Sequence, residues 1–349
     1  MKILMKGNEA IAAAAIAAGC RAFFGYPITP QNEIVEYMVT KMPAVGGVFV
    51  QAESEVAAVN MAYGAAATGV RTMTSSSSPG IALKQEGISY MAGADLPCVI
   101  VSVSRAGPGL GGILPAQGDY FQATRGGGNG DYYLPVYAPF SIQEAMDLVY
   151  KAFNVADLYR TPVMVLADGM LGQMMEPVLP INNEELIMNN EKCWAANGDS
   201  GRGRRNIANS LSLKAEALEE MNLRRFATYE IIRAKEIMVD NRVTDGDEVA
   251  LVAYGTPARI VLNSIEILKS KGIKAGLVRP ITLWPFPYES FQNLPASVKN
   301  VVVCELSMGQ MVEDVRLGVA GKIPVHFYGR TGGMIFEPEE IAEKVIEVI

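Results

Sequence analysis

The chain has 349 residues, half of them hydrophobic and 19% charged, with a formal net charge of −7. That length fits about two globular domains, and the acidic balance excludes a broad basic surface for nucleic acid, the Arg202, Arg204 and Arg205 cluster reading as a solvated loop. Cys20, Cys98, Cys193 and Cys304 are widely spaced with no Cys-x-x-Cys pair, so they write neither a zinc site nor an iron–sulfur cluster and read as free thiols of a reducing compartment.

Lys2 and Lys6 ahead of an alanine-rich run and Gly19-Cys20 imitate a secretory signal. The polar break at Asn8 and Glu9 predicts instead a helix over 8–18 closed by Gly19. No apolar run approaches the ~20 residues of a membrane span, so no membrane contact is expected and the location is read as cytoplasmic.

A short buried strand over 22–24 leads into Gly-Tyr-Pro-Ile-Thr-Pro at 25–30. Pro27 and Pro30 withhold backbone donors and push Tyr26 and Thr29 towards extended conformations, which leaves the Thr29 hydroxyl in an ordered loop. After a helix over 32–42, an apolar strand at 48–51 runs into a small-residue helix over 54–68 whose start carries Glu53 and Glu55. Acids at a helix start are favoured by about 0.3–1 kcal/mol through the helix dipole, which alone would account for both. The same place, a strand-to-helix junction of a parallel sheet, is also where such folds put their chemistry.

A strand over 71–75 ends in four consecutive serines, Pro79 and Gly80, ahead of a helix over 81–91. Helix capping explains part of this run, and hydroxyls and backbone donors aimed at an anion or a polar ring explain it as well. The continuous apolar strand 97–104 delivers Arg105 at its end, placed to grip a carboxylate. The glycines of 106–112 do not have dinucleotide-fingerprint spacing, and Pro115 interrupts the helix such a fingerprint needs. Residues 105–132 therefore read as a long functional or mobile loop that includes Gln117, Asp119, Tyr120 and Arg125. A strand over 136–139, a helix over 141–158 with Ser141 and Glu144 as a capping box, and a strand over 162–167 complete this half.

From Pro180 the chain turns polar and glycine-rich without an apolar face, then helical over 211–239. Strands are expected at 249–253, 275–278, 300–305 and 325–328, with helices at 257–271, 308–320 and 338–348. The fold class that follows is α/β, with two doubly wound parallel-sheet domains: residues 1–180, a linker with a long loop and helix over 181–245, and residues 246–349. His326, the single histidine, falls inside a strand and reads as structural, so no Ser/His/Asp hydrolase can be assembled.

The motifs at 25–30, Gln-Ala-Glu-Ser-Glu-Val-Ala-Ala-Val-Asn-Met-Ala-Tyr-Gly-Ala at 51–65, Thr-Ser-Ser-Ser-Ser-Pro-Gly at 74–80 and Ser-Arg-Ala-Gly-Pro at 104–108 resemble the alpha subunit of thiamine-diphosphate-dependent 2-oxoacid:ferredoxin oxidoreductases. The similarity covers nearly the whole chain and is strongest to the branched-chain type acting on 3-methyl-2-oxobutanoate, with the 2-oxoglutarate type second. It implies that residues 1–180 are the pyrimidine-binding domain and 246–349 a transketolase C-terminal-like domain. By motif position, Glu55 corresponds to the glutamate that bonds N1′ of the cofactor's aminopyrimidine and promotes proton removal from the thiazolium C2 carbon. Thr29 and Arg105 correspond to contacts with the substrate's carbonyl and carboxylate, and Tyr26, Pro27, Ile28, Ser76 and Ser77 to cofactor-binding positions.

The resemblance also implies what this chain lacks. No Gly-Asp-Gly followed some tens of residues later by Asn is present to bind magnesium and diphosphate. Half an active site is expected here: thiamine diphosphate shared with a beta subunit, and Mg²⁺ and iron–sulfur clusters on partner chains. Gamma and ferredoxin-like delta subunits, ferredoxin, coenzyme A and assembly as a dimer of heteromers complete the implied set. For substrate choice, Arg125 or Lys84 would be the extra cation for 2-oxoglutarate, whereas Tyr120, Phe121 and Leu114 would line an apolar pocket. A non-catalytic α/β nucleotide-binding or scaffold module is the alternative of another class.

Overall fold

The computed structural model describes residues 2–181, 192–199 and 201–349; the Asn- and Glu-rich part of the linker at 182–191, and Ser200, lie outside the described residues. Strand β1 (Ile3–Lys6) precedes helix α1 (Gly7–Ala17), whose end is closed by Gly19 at φ 81°, with Gly19 N donating to Ile16 O and Cys20 N to Ala15 O. That pairing satisfies the last free carbonyls of the helix and is why the alanine run stops where glycine stands.

The chain then alternates strictly. Strands β2 (Ala22–Gly25), β3 (Val48–Gln51), β4 (Thr72–Ser76) and β5 (Cys98–Ser104) are separated by helices α2 (Asn32–Lys41), α3 (Glu55–Ala67) and α4 (Ser78–Gly93). After the short α5 (Tyr120–Arg125) come β6 (Val136–Tyr137), α6 (Ile142–Tyr159), β7 (Pro162–Asp168), α7 (Gly169–Gln173) and β8 (Met175–Val178), which pairs antiparallel with β1. The long α8 (Ala215–Lys235) and β9 (Val239–Asn241) lead to the second half. There β10 (Val249–Val252), α9 (Gly255–Ser270), β11 (Ala275–Pro280), β12 (Thr282–Trp284), α10 (Tyr288–Gln292), β13 (Asn300–Glu305), α11 (Met311–Val319), β14 (Val325–Gly329) and α12 (Pro338–Val348) follow.

Two mixed, mainly parallel sheets result. The first has the order β12-β6-β7-β5-β4-β2-β3, parallel except for β12, and the second β14-β13-β10-β11-β9, parallel except for β9. Alternate residues of β5 serve opposite faces: Val99, Val101 and Val103 pack with α1, α2 and α6, while Cys98 and Ile100 join a core that runs on to Val252, Val301 and Met311 of the second sheet. The outer face of the second sheet buries Val249 and Leu251 against α9 and α12.

Four features differ from the sequence expectation. The first sheet has seven strands because β12, from the second half of the chain, adds to its edge beside β6. The β1–β8 pair, α7 and β9 are too short to show a period in sequence. The helix of the linker region is Ala215–Lys235, shorter than 211–239. The stretch 105–132 is pinned rather than loose: Gln117 donates from its backbone N to Leu306 O and from Nε2 to Tyr254 O, and accepts from Leu306 N. The same stretch contains α5, where Tyr120 and Arg125 both bond Asp314.

Candidate active site

In the first sheet β2 leads outward to β3, and the chain then returns to place β4 on the other side of β2. The strand order reverses between β2 and β4, and the carboxyl ends of strands at such a reversal form a crevice that helices cannot fill. All the parallel strands deliver their following residues to that one edge. Tyr26 to Gln31 follow β2, Glu55 opens the helix after β3, Ser76 and Ser77 end β4, Arg105 follows β5 and Asp168 ends β7.

The two acids that sequence left equivalent are separated by the fold. Glu53 is exposed, whereas Glu55 is buried at the first position of α3, behind Ser54, whose Oγ caps the helix by accepting from Ala57 N. Glu55 faces Gly80 of α4. A Cβ built on Gly80 would lie 2.7 Å from Glu55 Oε1 and 2.1 Å from Ser76 Oγ, so only glycine lets carboxylate, hydroxyl and helix meet there. The contact recurs further along both helices: Val59 of α3 occupies the space a Gly87 side chain would fill, which makes the small residues a packing device.

The serine run divides its labour. Ser75 Oγ donates to Gln31 Oε1 (2.6 Å), and Gln31 Nε2 donates to Tyr26 O (3.2 Å), tying β4 to the loop after β2. Ser78 Oγ and Ser104 Oγ donate to Asp119 Oδ2 at 2.5 and 2.8 Å. Burial raises the Asp119 carboxyl above its ordinary range, against the lowering effect of those two hydroxyls and Arg105. Ser77 occupies the N-cap position of α4 without a side-chain cap bond, and both Ser76 Oγ and Ser77 Oγ are buried with no partner. Capping therefore does not account for these two hydroxyls. Buried polar groups are ordinarily bonded, and two orphans beside a buried carboxylate fit a polar ligand such as an aminopyrimidine ring.

Arg105 is buried and largely committed to the backbone: Nη1 donates to Thr29 O and Nη2 to Leu110 O, both at 2.9 Å, while Nε has no partner. It fastens the glycine-rich loop to the loop after β2 and so brings Thr29 to the mouth of a cavity of about 620 Å³. The Thr29 side chain is exposed and accepts a long bond from Asn32 Nδ2 (3.5 Å). Tyr26 and Ile28 are half-buried beside it and Pro27 is exposed.

That cavity is walled by Leu114, Met170, Met174 and Ile335, carries Glu33 as its charged residue and, among the described residues, has no lysine or arginine in its lining. Burial alone would raise the Glu33 carboxyl, but bonds from Asn8, Gln173 and Lys6 outweigh it and hold the group below its usual value. The cations considered for a second substrate carboxylate lie elsewhere. Arg125 pairs with Asp314 at 2.8 Å, and Lys84 is wholly buried with its Nζ donating to Thr74 Oγ1 and Ser75 O. Tyr120 does not line a pocket either; it is fully buried with its hydroxyl on Asp314. His326 sits in β14 with Nε2 3.1 Å from Asn300 Oδ1, a structural placement.

Sequence reasoning missed Gln31, and it took Ser78 and Gly80 only as members of the run at 74–80, without roles of their own. For Gly80 a signal existed: a glycine in the first turn of a helix, behind residues that must approach another helix start, marks a close contact.

Known proteins resemble this chain over nearly its whole length. Residues 13–231 match the family described as pyruvate flavodoxin/ferredoxin oxidoreductase, thiamine diphosphate-binding, and residues 247–341 match pyruvate:ferredoxin oxidoreductase core domain II. A ketoisovalerate oxidoreductase subunit VorB from Methanothermobacter thermautotrophicus is 46% identical over 99% of this chain and 97% of its own length. A 2-oxoglutarate synthase subunit KorA from Archaeoglobus fulgidus is 38% identical over 98% of each. A solved 2-oxoglutarate:ferredoxin oxidoreductase from Magnetococcus marinus, with 2-oxoglutarate, coenzyme A and succinyl-CoA bound, superposes with a TM-score of 0.88 at 29% identity. The superposition covers 99% of this chain and 65% of that one. A split-gene transketolase at 13% identity and TM-score 0.57 shares the fold.

Proposed function

The chain belongs to the 2-oxoacid:ferredoxin oxidoreductase family, and from that premise we propose that it is the alpha subunit of an enzyme acting on a branched-chain 2-oxoacid, 3-methyl-2-oxobutanoate. The reaction breaks the bond between carbonyl and carboxylate carbons and joins the acyl group to the sulfur of coenzyme A. One 2-oxoacid and one coenzyme A give acyl-CoA, CO₂, a proton and two electrons, taken up by two ferredoxins.

The observation that carries this reading is the buried Glu55 carboxylate meeting Ser76 Oγ at Gly80, with the Ser76 and Ser77 hydroxyls left buried and unpartnered at the end of β4. When bound, thiamine diphosphate supplies the nucleophilic carbon and the electron sink that a 2-oxoacid needs to lose CO₂. Glu55 holds a proton at the N1′ position of the aminopyrimidine, and the Ser76 and Ser77 hydroxyls, with backbone of Tyr26, Pro27 and Ile28, orient the ring. Arg105 anchors the Thr29 backbone and leaves Nε for the substrate, while the Thr29 hydroxyl meets its polar end. Water is excluded by the loop that Arg105 and Gln117 pin down.

The cavity beside Thr29 favours the branched-chain substrate over 2-oxoglutarate. Its apolar wall accepts methyl groups, whereas a second carboxylate would face Glu33 and find no cation in the lining. In this reading residues 1–180 form the pyrimidine-binding domain, 181–245 the linker and 246–349 the transketolase C-terminal-like domain. Mg²⁺ and the diphosphate lie on a beta subunit and the iron–sulfur clusters on partner chains, in a dimer of heteromers with gamma and delta subunits in the cytoplasm. Among the described residues no helix is long and apolar enough to cross a membrane.

Reconstitution tests it. The purified complex is expected to reduce ferredoxin with coenzyme A and 3-methyl-2-oxobutanoate, with a kcat/KM exceeding that for 2-oxoglutarate by at least about 10-fold. Equal or reversed preference would overturn the substrate assignment, and turnover independent of thiamine diphosphate would overturn the class.

A further inference from the structure

Lys84 is fully buried, which is rare for a lysine without a direct ion pair, and it makes none within reach of a carboxylate among the described residues. It lies one helical turn beyond Gly80 on the face of α4 turned to α3 and the sheet, the same face that receives Glu55. Its Nζ donates to Thr74 Oγ1 (2.6 Å) and to Ser75 O (2.9 Å), and Thr74 Oγ1 in turn donates to Phe24 O (2.7 Å). The lysine thus joins the ends of β4 and β2, the two strands that form the crevice. Apolar replacement of such an inward cation would be the simplest core, so the retained amine calls for a reason beyond packing.

The charged group facing it is Glu55, on α3. From β5 it is faced by the Cys98 thiol, which burial pushes up to about 12 and so keeps neutral; from β4 it meets only the Thr74 hydroxyl and the Ser75 carbonyl. Burial lowers the Lys84 amine to about 7, with Glu55 pulling it back up. Lys84 and Glu55 interact inside one low-dielectric pocket, so the charge carried by either group sets the cost of a charge on the other.

We propose that Lys84 is a positioning residue for Glu55, competing with the Glu55–aminopyrimidine contact for a single proton and so setting the pH range over which Glu55 can hold it. The proposal rests on the assignment of Glu55 as the cofactor's proton partner. With Lys84 charged, an added proton on the Glu55 pair is disfavoured; when the pair takes its proton, Lys84 gives one up. Cofactor binding then moves a proton inside the site instead of drawing it from solvent.

The test is calorimetric titration of thiamine diphosphate into the complete complex at pH 7, in two buffers of different ionisation enthalpy, which counts protons exchanged. Lys84→Met is expected to take up about half a proton more than wild type on binding. The limb of its kcat/KM profile that reports the active-site proton is expected to move upward by about one pH unit. Lys84→Gln, which keeps a donor for Thr74 Oγ1 and Ser75 O without titrating, is expected to match Lys84→Met in both readouts. Wild-type proton counts and an unmoved pH profile in an assembled variant would overturn the proposal and leave Lys84 a structural residue. Failure of the wild-type complex to bind thiamine diphosphate would overturn the Glu55 assignment itself, and the proposal with it.

Discussion

Glu55 Oε1 stands 2.7 Å from the point where a Gly80 Cβ would be, so the carboxylate and helix α4 meet with no side chain between them. Gly80→Ala must therefore move Glu55, Ser76 or the helix. Overpacking of this kind costs about 1–3 kcal/mol in folding stability. In the complex the substitution is expected to weaken thiamine diphosphate binding by at least about 10-fold, the equivalent of ~1.4 kcal/mol. Calorimetric titration checks it, and wild-type affinity would show that Glu55 does not need this approach.

Ser76 Oγ and Ser77 Oγ are buried without partners. A buried hydroxyl left unbonded costs about 1–3 kcal/mol, so removing one should be neutral or stabilising in the isolated chain. Ser76→Ala and Ser77→Ala are expected to leave urea midpoints of the chain unchanged or raised while reducing cofactor affinity of the complex. Loss of stability with intact affinity would mean that the hydroxyls serve the fold.

Lys84 gives a pH dependence with a definite sign. Its folded value of about 7 lies below the ordinary 10.5, so above pH 7 the unfolded chain binds more protons at this residue than the folded one. Its destabilising contribution is fully present below about pH 7 and fades as pH rises towards about 10.5. Lys84→Met is therefore expected to be more stable than wild type at pH 6, with the difference in Tm shrinking by pH 9. A difference constant across that range would show that the amine does not titrate there.

Away from the site, Arg71 and Asp157 form a buried pair at 2.8 Å, with Arg71 also donating to Ala18 O and Asn154 Oδ1. Arg71→Leu leaves Asp157 with Lys192 as its remaining charged partner and is expected to cost about 3–5 kcal/mol in chemical denaturation. Cofactor affinity of the assembled complex should be unaffected, and a loss of affinity without loss of stability would contradict this purely structural role.

The fold was legible where apolar periods were long. The strand 300–305 and helix 338–348 were read to the residue because a continuous apolar run and a Pro-Glu-Glu start leave little freedom. Strand β12 was not, since three residues carry no period and its partner β6 lies about 145 positions earlier in the chain. In the site, Glu55 was singled out by motif alone; local chemistry gave Glu53 the same standing, and only burial separates them. In sequence Lys84 is, with Arg125, an option for the extra cation that 2-oxoglutarate would need, because an amphipathic helix does not disclose which polar residue turns inward. Arg105 was placed correctly at a strand end, but its grip on the carbonyls of Thr29 and Leu110 depends on a loop path that sequence does not specify.

The central claim is that Glu55 is the proton partner of the cofactor. Glu55→Gln, which keeps size and hydrogen bonding but cannot hold the proton, measures it most directly in the reconstituted complex with 3-methyl-2-oxobutanoate, coenzyme A and ferredoxin. Turnover is expected to fall by about 10²–10⁴-fold with assembly intact; turnover within a few-fold of wild type would contradict the account.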